Sequence, residues 1–208
     1  MKLQIAIDRM TIKDAEEMMQ RITRYADIVE VGTSLIKDYG LSGSVGYFKK
    51  EFPEQVLLAD IKTCDEGGYE FRKCYEAGAD LATVMGFSDN ATIAACREQA
   101  VAFGKKYVID LMGTDEKRAS ELRRRFPDAV FGVHLPSDCH GQGLDDLVRN
   151  MCRQFPSGTE ISAAGGIKPE SVPILKENGV DIVIVGSAVT KAEDPGAEAA
   201  AFAALIRK

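Results

Sequence analysis

The sequence has no run of 18 or more consecutive apolar residues, which excludes a membrane-spanning helix. Positive charge is in deficit. Against 32 Asp and Glu stand 26 Lys and Arg, and the net charge of −6 gives no electrostatic reason to bind nucleic acid. The opening MKLQIAID lacks the apolar stretch of a signal peptide, so no export signal is expected. Cysteine is scarce and irregular: Cys64, Cys74, Cys96, Cys139 and Cys152 are odd in number and show no CxxC spacing. Neither a disulfide framework nor a zinc site is suggested, and a reducing, cytoplasmic setting is expected. No Pro- or Ser-rich linker and no low-complexity block divides the chain, so residues 1–208 read as a single domain.

What the sequence does have is alternation. Eight short apolar runs, mostly rich in Val and Ile, are separated by longer segments of helical pattern. The runs are Leu3–Asp8, Asp27–Gly32, Val56–Lys62, Leu81–Gly86, Tyr107–Met112, Ala129–Leu135, Glu160–Gly166 and Asp181–Gly186. Near-continuous apolar runs of this length suit strands buried on both faces of a parallel sheet. Between them, Thr11–Tyr25 sets Ile12, Ala15, Met18, Met19 and Ile22 at helical spacing, with Thr11 and Asp14 as a start signal. Asp89–Phe103 and Asp115–Arg125 are patterned alike, and Ala-rich Glu198–Ile206 suits a closing helix. The phrases EAGAD before Leu81 and ENGVD before Ile182 each end a helix on glycine and enter a strand through Asp.

Eight strands alternating with eight helices predict an α/β fold, a (β/α)8 TIM barrel, with an open doubly wound sheet as the alternative. The length is tight for it. Eight units share 208 residues at about 26 each, where a typical barrel uses roughly 250 in all.

In such a barrel the chemistry lies at the C-terminal ends of the strands, and polar residues recur there. Asp8 closes the first run, Glu30 lies near the end of the second, Asp60 and Lys62 end the third, and Asp65 follows. Asp110 falls in the fifth, and His134, one of only two histidines, in the sixth. Any one of these carboxylates reads as a helix cap or a loop acceptor. Their convergence on one rim is harder to explain that way, because burying unpaired carboxylates is costly. The sharpest motif is Asp60-Ile61-Lys62-Thr63-Cys64-Asp65, DxKxxD. Strand alternation points residues 60 and 62 to one face. Alternating carboxylate, ammonium and carboxylate keeps each group charged. The set is able to bind a divalent cation while the ammonium stabilises a developing oxyanion, although an ion-pair network at the barrel mouth has the same composition. His134 suits a general base or acid. His140 lies in the polar segment 136–143 and is expected to be an exposed loop residue. The cysteines read as small packing residues, Cys64, inside the motif, being the only one near the expected chemistry.

Two glycine signals complete the rim. Gly165-Gly166 ends the seventh run and Gly186-Ser187 the eighth. Loops after strands seven and eight are the usual phosphate site of a barrel.

Together, VLLADIKTCDEGGYE at 56–70, LQIAID, DIVEVGT, AAGGI and DIVIVGSAVT resemble the orotidine 5′-phosphate decarboxylase superfamily over essentially the whole chain. Within it they are similar to the 3-hexulose-6-phosphate synthases, whose sister group is the 3-keto-L-gulonate 6-phosphate decarboxylases. The resemblance implies a homodimer of barrels with active sites at the subunit interface. It implies Mg²⁺ on Glu30 and Asp60, and catalytic roles for Asp8, Lys62, Asp110 and His134. Asp65 matches the aspartate that enters the partner's site. Gly165, Gly166, Gly186 and Ser187 match the phosphate loops.

Three positions separate the sisters. Asp110 stands where the decarboxylases have glutamate, Ser137 where they have a functional arginine, and Ser187 where they have an arginine at the phosphate. All three favour the synthase. Leu135-Pro136 departs from its usual Thr-Gly, and Thr63, Cys64 and Glu66 are unusual around the motif. The resemblance thus implies an aldehyde-lyase joining formaldehyde to D-ribulose 5-phosphate through an enediolate, with no nucleic-acid or membrane partner. The alternatives are the keto-gulonate-phosphate decarboxylase and a non-catalytic sugar-phosphate binding protein.

Overall fold

The computed structural model describes residues 1–138, 143–153 and 155–207. Cys139 and His140 lie outside them. Eight parallel strands close into a barrel in sequence order: β1 (Lys2–Ile7), β2 (Ile28–Val31), β3 (Leu57–Thr63), β4 (Leu81–Met85), β5 (Lys106–Asp110), β6 (Val130–His134), β7 (Glu160–Ala164) and β8 (Ile182–Val185). Closure is made by β1 on β8, with Leu3 opposite Val183 and Ile5 opposite Val185. This is the (β/α)8 TIM barrel expected from the alternation, and each of the eight apolar runs overlaps a strand.

Alternation along the strands divides the core in two. Leu3, Ile5 and Ile7 of β1 are fully buried against the helical ring. Ile28, Leu58, Leu81, Val108, Val130 and Ile182 form a separate cluster that fills the barrel floor. Burying each such side chain contributes roughly 1.5–3 kcal/mol, and the apolar floor leaves room for polar groups only near the C-terminal mouth.

The helices start where the sequence signals them. In α1 (Ile12–Ile22) the Thr11 hydroxyl accepts from Asp14 N–H at 3.1 Å, and Ala15, Met19 and Ile22 are buried. The Asp89 carboxylate caps α5 (Asn90–Phe103), and Asp115 caps α6 (Glu116–Arg125). Ahead of these two in the chain, α4 spans Gly67–Glu76. Later come α7 (Leu144–Cys152) and α8 (Val172–Glu177).

The described residues hold ten α-helices rather than eight, because two connections are split. After β2, α2 (Thr33–Leu41) turns at Gly40, whose φ is +69°. The chain then passes through a π-helical turn over 42–46 into α3 (Tyr47–Glu51). After β8, a short α9 (Ser187–Thr190) precedes the closing α10 (Pro195–Arg207). No described helix is long and apolar enough to cross a membrane.

Candidate active site

The polar residues picked out along the chain converge at the C-terminal mouth. Asp60 and Lys62 sit on β3, Asp110 ends β5 and His134 ends β6. Lys62 Nζ lies 2.9 and 2.7 Å from the two carboxylate oxygens of Asp60 and 3.4 Å from Asp110 Oδ2. His134 Nδ1 is 3.0 Å from the same Asp110 oxygen, while Met112 N–H donates to Asp110 Oδ1 at 2.9 Å. Asp60 also accepts from the Thr33 hydroxyl at 3.0 Å and the Thr83 hydroxyl at 2.9 Å. One ammonium is thus clamped between two carboxylates, and the second carboxylate carries the imidazole.

The side chains of Asp60 and Lys62 meet, as strand alternation led one to expect, but by a different route. The β3–β4 register slips between Ala59 and Thr63, and Lys62 adopts a left-handed φ of +50°. The ammonium reaches back over Asp60 from an irregular strand end.

The electrostatics follow from crowding charge in a small space. Burial pulls the Lys62 ammonium down, but Asp60, Asp110 and Glu30 outweigh it and hold its pKa above the ordinary lysine value. Burial pushes Asp110 up, and the hydrogen bond and charge of His134, with Lys62 behind it, bring the carboxyl below its usual range. Burial lowers His134, yet the Asp110 bond and charge raise the imidazole above 6.5 overall. An ionised Asp110 only accepts, so Nδ1 carries the hydrogen and Nε2 of the neutral ring is free to take a proton.

Glu30 on β2 behaves differently. Burial first and the neighbouring Asp60 second push its carboxyl up to about 7, against a 2.5 Å hydrogen bond from Gln4 Nε2. A cation beside Glu30 and Asp60 would relieve that repulsion. With Glu30 ionised and His134 neutral, the carboxylates of Glu30, Asp60 and Asp110 against the Lys62 ammonium leave two uncompensated negative charges, the complement of one divalent ion. Among the described residues, no group of three or more His, Cys, Asp or Glu is set to hold a metal. The two carboxylates of Glu30 and Asp60 suit an ion such as Mg²⁺, which takes one or two protein carboxylates and completes its shell with water and substrate oxygens.

A cavity of about 850 Å³ runs from Glu30 and His134 to the glycine loops Gly165-Gly166 and Gly186-Ser187. Gly165 is required where it stands. Its φ is +115°, and a Cβ there would collide with the Leu135 carbonyl after β6. Asp8, just beyond β1, lines the same cavity and is tied to the start of α2 by the Ser34 hydroxyl and by Ser34 N–H at 3.1 Å. Gly32 makes this approach possible, since a Cβ at that position would fall 2.6 Å from the Asp8 carboxyl. Asp65 is exposed outside this cluster and accepts from Glu66 N–H at 2.8 Å.

The sequence reading missed several lining groups. Arg9, Lys168 and Lys191 bring three cationic side chains to the lining of this cavity. Lys168, two residues past the Gly165-Gly166 pair, carried a detectable signal in its proximity. Gln4, Thr33 and Thr83 carried none, being single polar residues within or beside apolar strands.

A parallel barrel with this mouth defines a class. The description "Orotidine 5'-phosphate decarboxylase / HUMPS family" matches residues 1–202, and the chain belongs to that family. It is 36% identical to a 3-hexulose-6-phosphate synthase of Mycobacterium gastri, over 99% of this chain and 100% of the relative. A crystal structure of 3-hexulose-6-phosphate synthase from Salmonella typhimurium is 33% identical and superposes with a TM-score of 0.91, covering 100% of this chain and 99% of that one. A 3-keto-L-gulonate-6-phosphate decarboxylase from Vibrio cholerae is 29% identical with a TM-score of 0.83, covering 99% of this chain and 95% of that one. Within the family, the chain is an enzyme of the 3-hexulose-6-phosphate synthase type.

Proposed function

We propose that the protein is a Mg²⁺-dependent aldehyde-lyase that joins formaldehyde to D-ribulose 5-phosphate, reversibly, giving D-arabino-3-hexulose 6-phosphate. The observation that carries this reading is the Asp60–Lys62–Asp110–His134 chain of contacts, whose His134 end opens with Glu30 into the cavity that reaches the glycine loops and lysines. It sets a base and a fixed cation beside an anion cradle.

The phosphate rests against the loops at Gly165-Gly166 and Gly186-Ser187, with Lys168 and Lys191 adding charge. That binding energy holds the reacting carbons at a distance, near His134. Neutral His134 removes a proton from the carbon next to the ketone through Nε2, and Asp110 stabilises the imidazolium that forms. The Lys62 ammonium holds the negative charge that develops on the enediolate oxygens. The enediolate carbon attacks formaldehyde, and the imidazolium proton neutralises the new alkoxide. Asp8 orients substrate hydroxyls. Glu30 and Asp60 are the residues that would hold Mg²⁺, which when bound polarises substrate oxygens as a Lewis acid.

The direct test supplies purified enzyme and Mg²⁺ with either substrate pair. Formaldehyde-dependent consumption of D-ribulose 5-phosphate, without CO₂ release from 3-keto-L-gulonate 6-phosphate, is the expected result. CO₂ release without aldol activity supports the decarboxylase instead. Binding of the sugar phosphate with no turnover of either substrate supports a sensor.

We also propose that the working unit is a homodimer in which Asp65 enters the partner's mouth. The exposure of Asp65 at the rim supports this, as does the small allowance of chain for a lid. Co-expressed Asp65→Ala and Lys62→Ala subunits, each inactive alone, are expected to regain activity in hybrid dimers. Hybrids as inactive as the parents would contradict the shared site.

A further inference from the structure

The geometry points to Thr83 as the positioning residue that sets the Asp60–Lys62 pair in place. It rests on the proposed enediolate chemistry only for what that pair does.

The ladder between β3 and β4 runs Leu58 to Leu81 and Ala59 to Ala82, then resumes at Thr63 to Val84. Residues 60–62 are accommodated on one side of a gap that holds only Thr83 on the other. A bulge of this kind leaves backbone groups without ladder partners. Here Thr83 supplies one from its side chain: Lys62 N–H donates to Thr83 Oγ1 at 2.9 Å. The same hydroxyl donates its single hydrogen to Asp60 Oδ1, also at 2.9 Å. The direction of each bond is fixed, because a hydroxyl has one hydrogen to give, a carboxylate can only accept and an N–H can only donate.

Three features make this hydroxyl more than a satisfied core group. Thr83 is buried, so water does not readily replace it. Its β-branched side chain is stiff at χ1, which fixes the direction of both bonds. It also bonds to the backbone of a residue in a conformation that side-chain-bearing residues resist, Lys62 at φ +50°. That conformation turns the ammonium back onto Asp60 and within reach of Asp110. Without the hydroxyl, Lys62 N–H and Asp60 Oδ1 both lose a partner. Lys62 is then free to leave the left-handed region, and its ammonium loses its fixed place between Asp60 and Asp110.

Thr83→Val keeps the shape and removes the hydroxyl, while Thr83→Ser keeps the hydroxyl. In the valine variant kcat is expected to fall about 100-fold with KM for D-ribulose 5-phosphate changed less than about threefold, because the phosphate anchor is remote from the bulge. The serine variant is expected to stay within about fivefold of wild type. Thr83→Ala is expected to behave like valine and serves if valine does not fold. A crystal structure of the valine or alanine variant is expected to show Lys62 out of the left-handed region and Nζ displaced from its place between Asp60 and Asp110. Near-native turnover without the hydroxyl, serine as impaired as valine, or an unchanged Lys62 in that crystal structure would each overturn the proposal. If the wild type turns over neither substrate pair, the function proposed above fails. The crystallographic comparison still decides the role of Thr83.

Discussion

Replacing Lys62 by alanine is expected to lower turnover about 10²–10³-fold, the scale set by removing one preorganised donor from an oxyanion site. Among the described residues, Lys62 is the only ammonium in the cluster of charges at Asp60, Asp110 and Glu30. Its loss removes the fixed positive charge and also deepens the carboxylate repulsion it offsets. The Glu30 carboxyl, already pushed up to about 7 with the lysine present, moves higher without it, because Lys62 is one of the groups that lowers it. Near neutral pH more of Glu30 is then protonated. The barrel itself should survive, since Asp60 keeps the Thr33 and Thr83 hydroxyls and Asp110 keeps Met112 N–H and His134. The check is kcat across a Mg²⁺ titration, with equilibrium binding of D-ribulose 5-phosphate and circular dichroism alongside. Lost turnover that Mg²⁺ does not restore, with sugar-phosphate binding and fold retained, fits the role assigned. Near-native kcat contradicts it.

The second large effect concerns His134 and its partner. His134→Gln is expected to cost about 10²–10⁴ in kcat, the range for a positioned general base. The pH profile carries more information. A base works only when neutral, so activity should rise with pH through the His134 pKa, and Asp110 holds that pKa above 6.5. The acid limb of the wild-type profile is therefore expected above pH 6.5. In Asp110→Asn the two largest raising influences are gone, and burial with the Lys62 charge outweighs what Glu30 still adds. The acid limb should move to lower pH, along with a lower plateau from the lost orientation of the ring. Stability responds with the opposite sign. A folded pKa above the unfolded one stabilises below about pH 6.5, and that contribution fades as pH rises through the folded value. An acid limb unchanged between wild type and Asp110→Asn would mean that His134 is not the titrating base.

Much of this was legible along the chain, for identifiable reasons. Strands buried on both faces must be apolar throughout, so the eight Val- and Ile-rich runs marked the barrel. Residues at the ends of those runs, Asp60, Lys62, Asp110 and His134, stood out because charge is costly beside such runs. The glycine loops were visible because Gly165 sits at a φ that other residues resist. The β2–β3 connection was not legible, because Gly40, Gly43 and Gly46 interrupt the helical period across the kink and the π-turn. Nor was the β3 bulge, since regular alternation gives residues 60 and 62 a common face without it. Thr83 and Gln4 were hidden inside LATVM and LQIAI, where one polar residue does not change the reading. Arg9, Lys168 and Lys191 are scattered in sequence and meet only once the barrel closes.

Central to the account is a proton removed beside the ketone by His134 while Lys62 holds the resulting charge. That step needs no formaldehyde. With D-ribulose 5-phosphate and Mg²⁺ in D₂O, proton NMR should show wild-type enzyme exchanging a hydrogen on the carbon next to the ketone for deuterium. Lys62→Ala and His134→Gln should show little or no exchange. Wild-type enzyme that makes the hexulose phosphate yet exchanges no hydrogen without formaldehyde, or a His134→Gln variant that exchanges at the wild-type rate, would contradict the account.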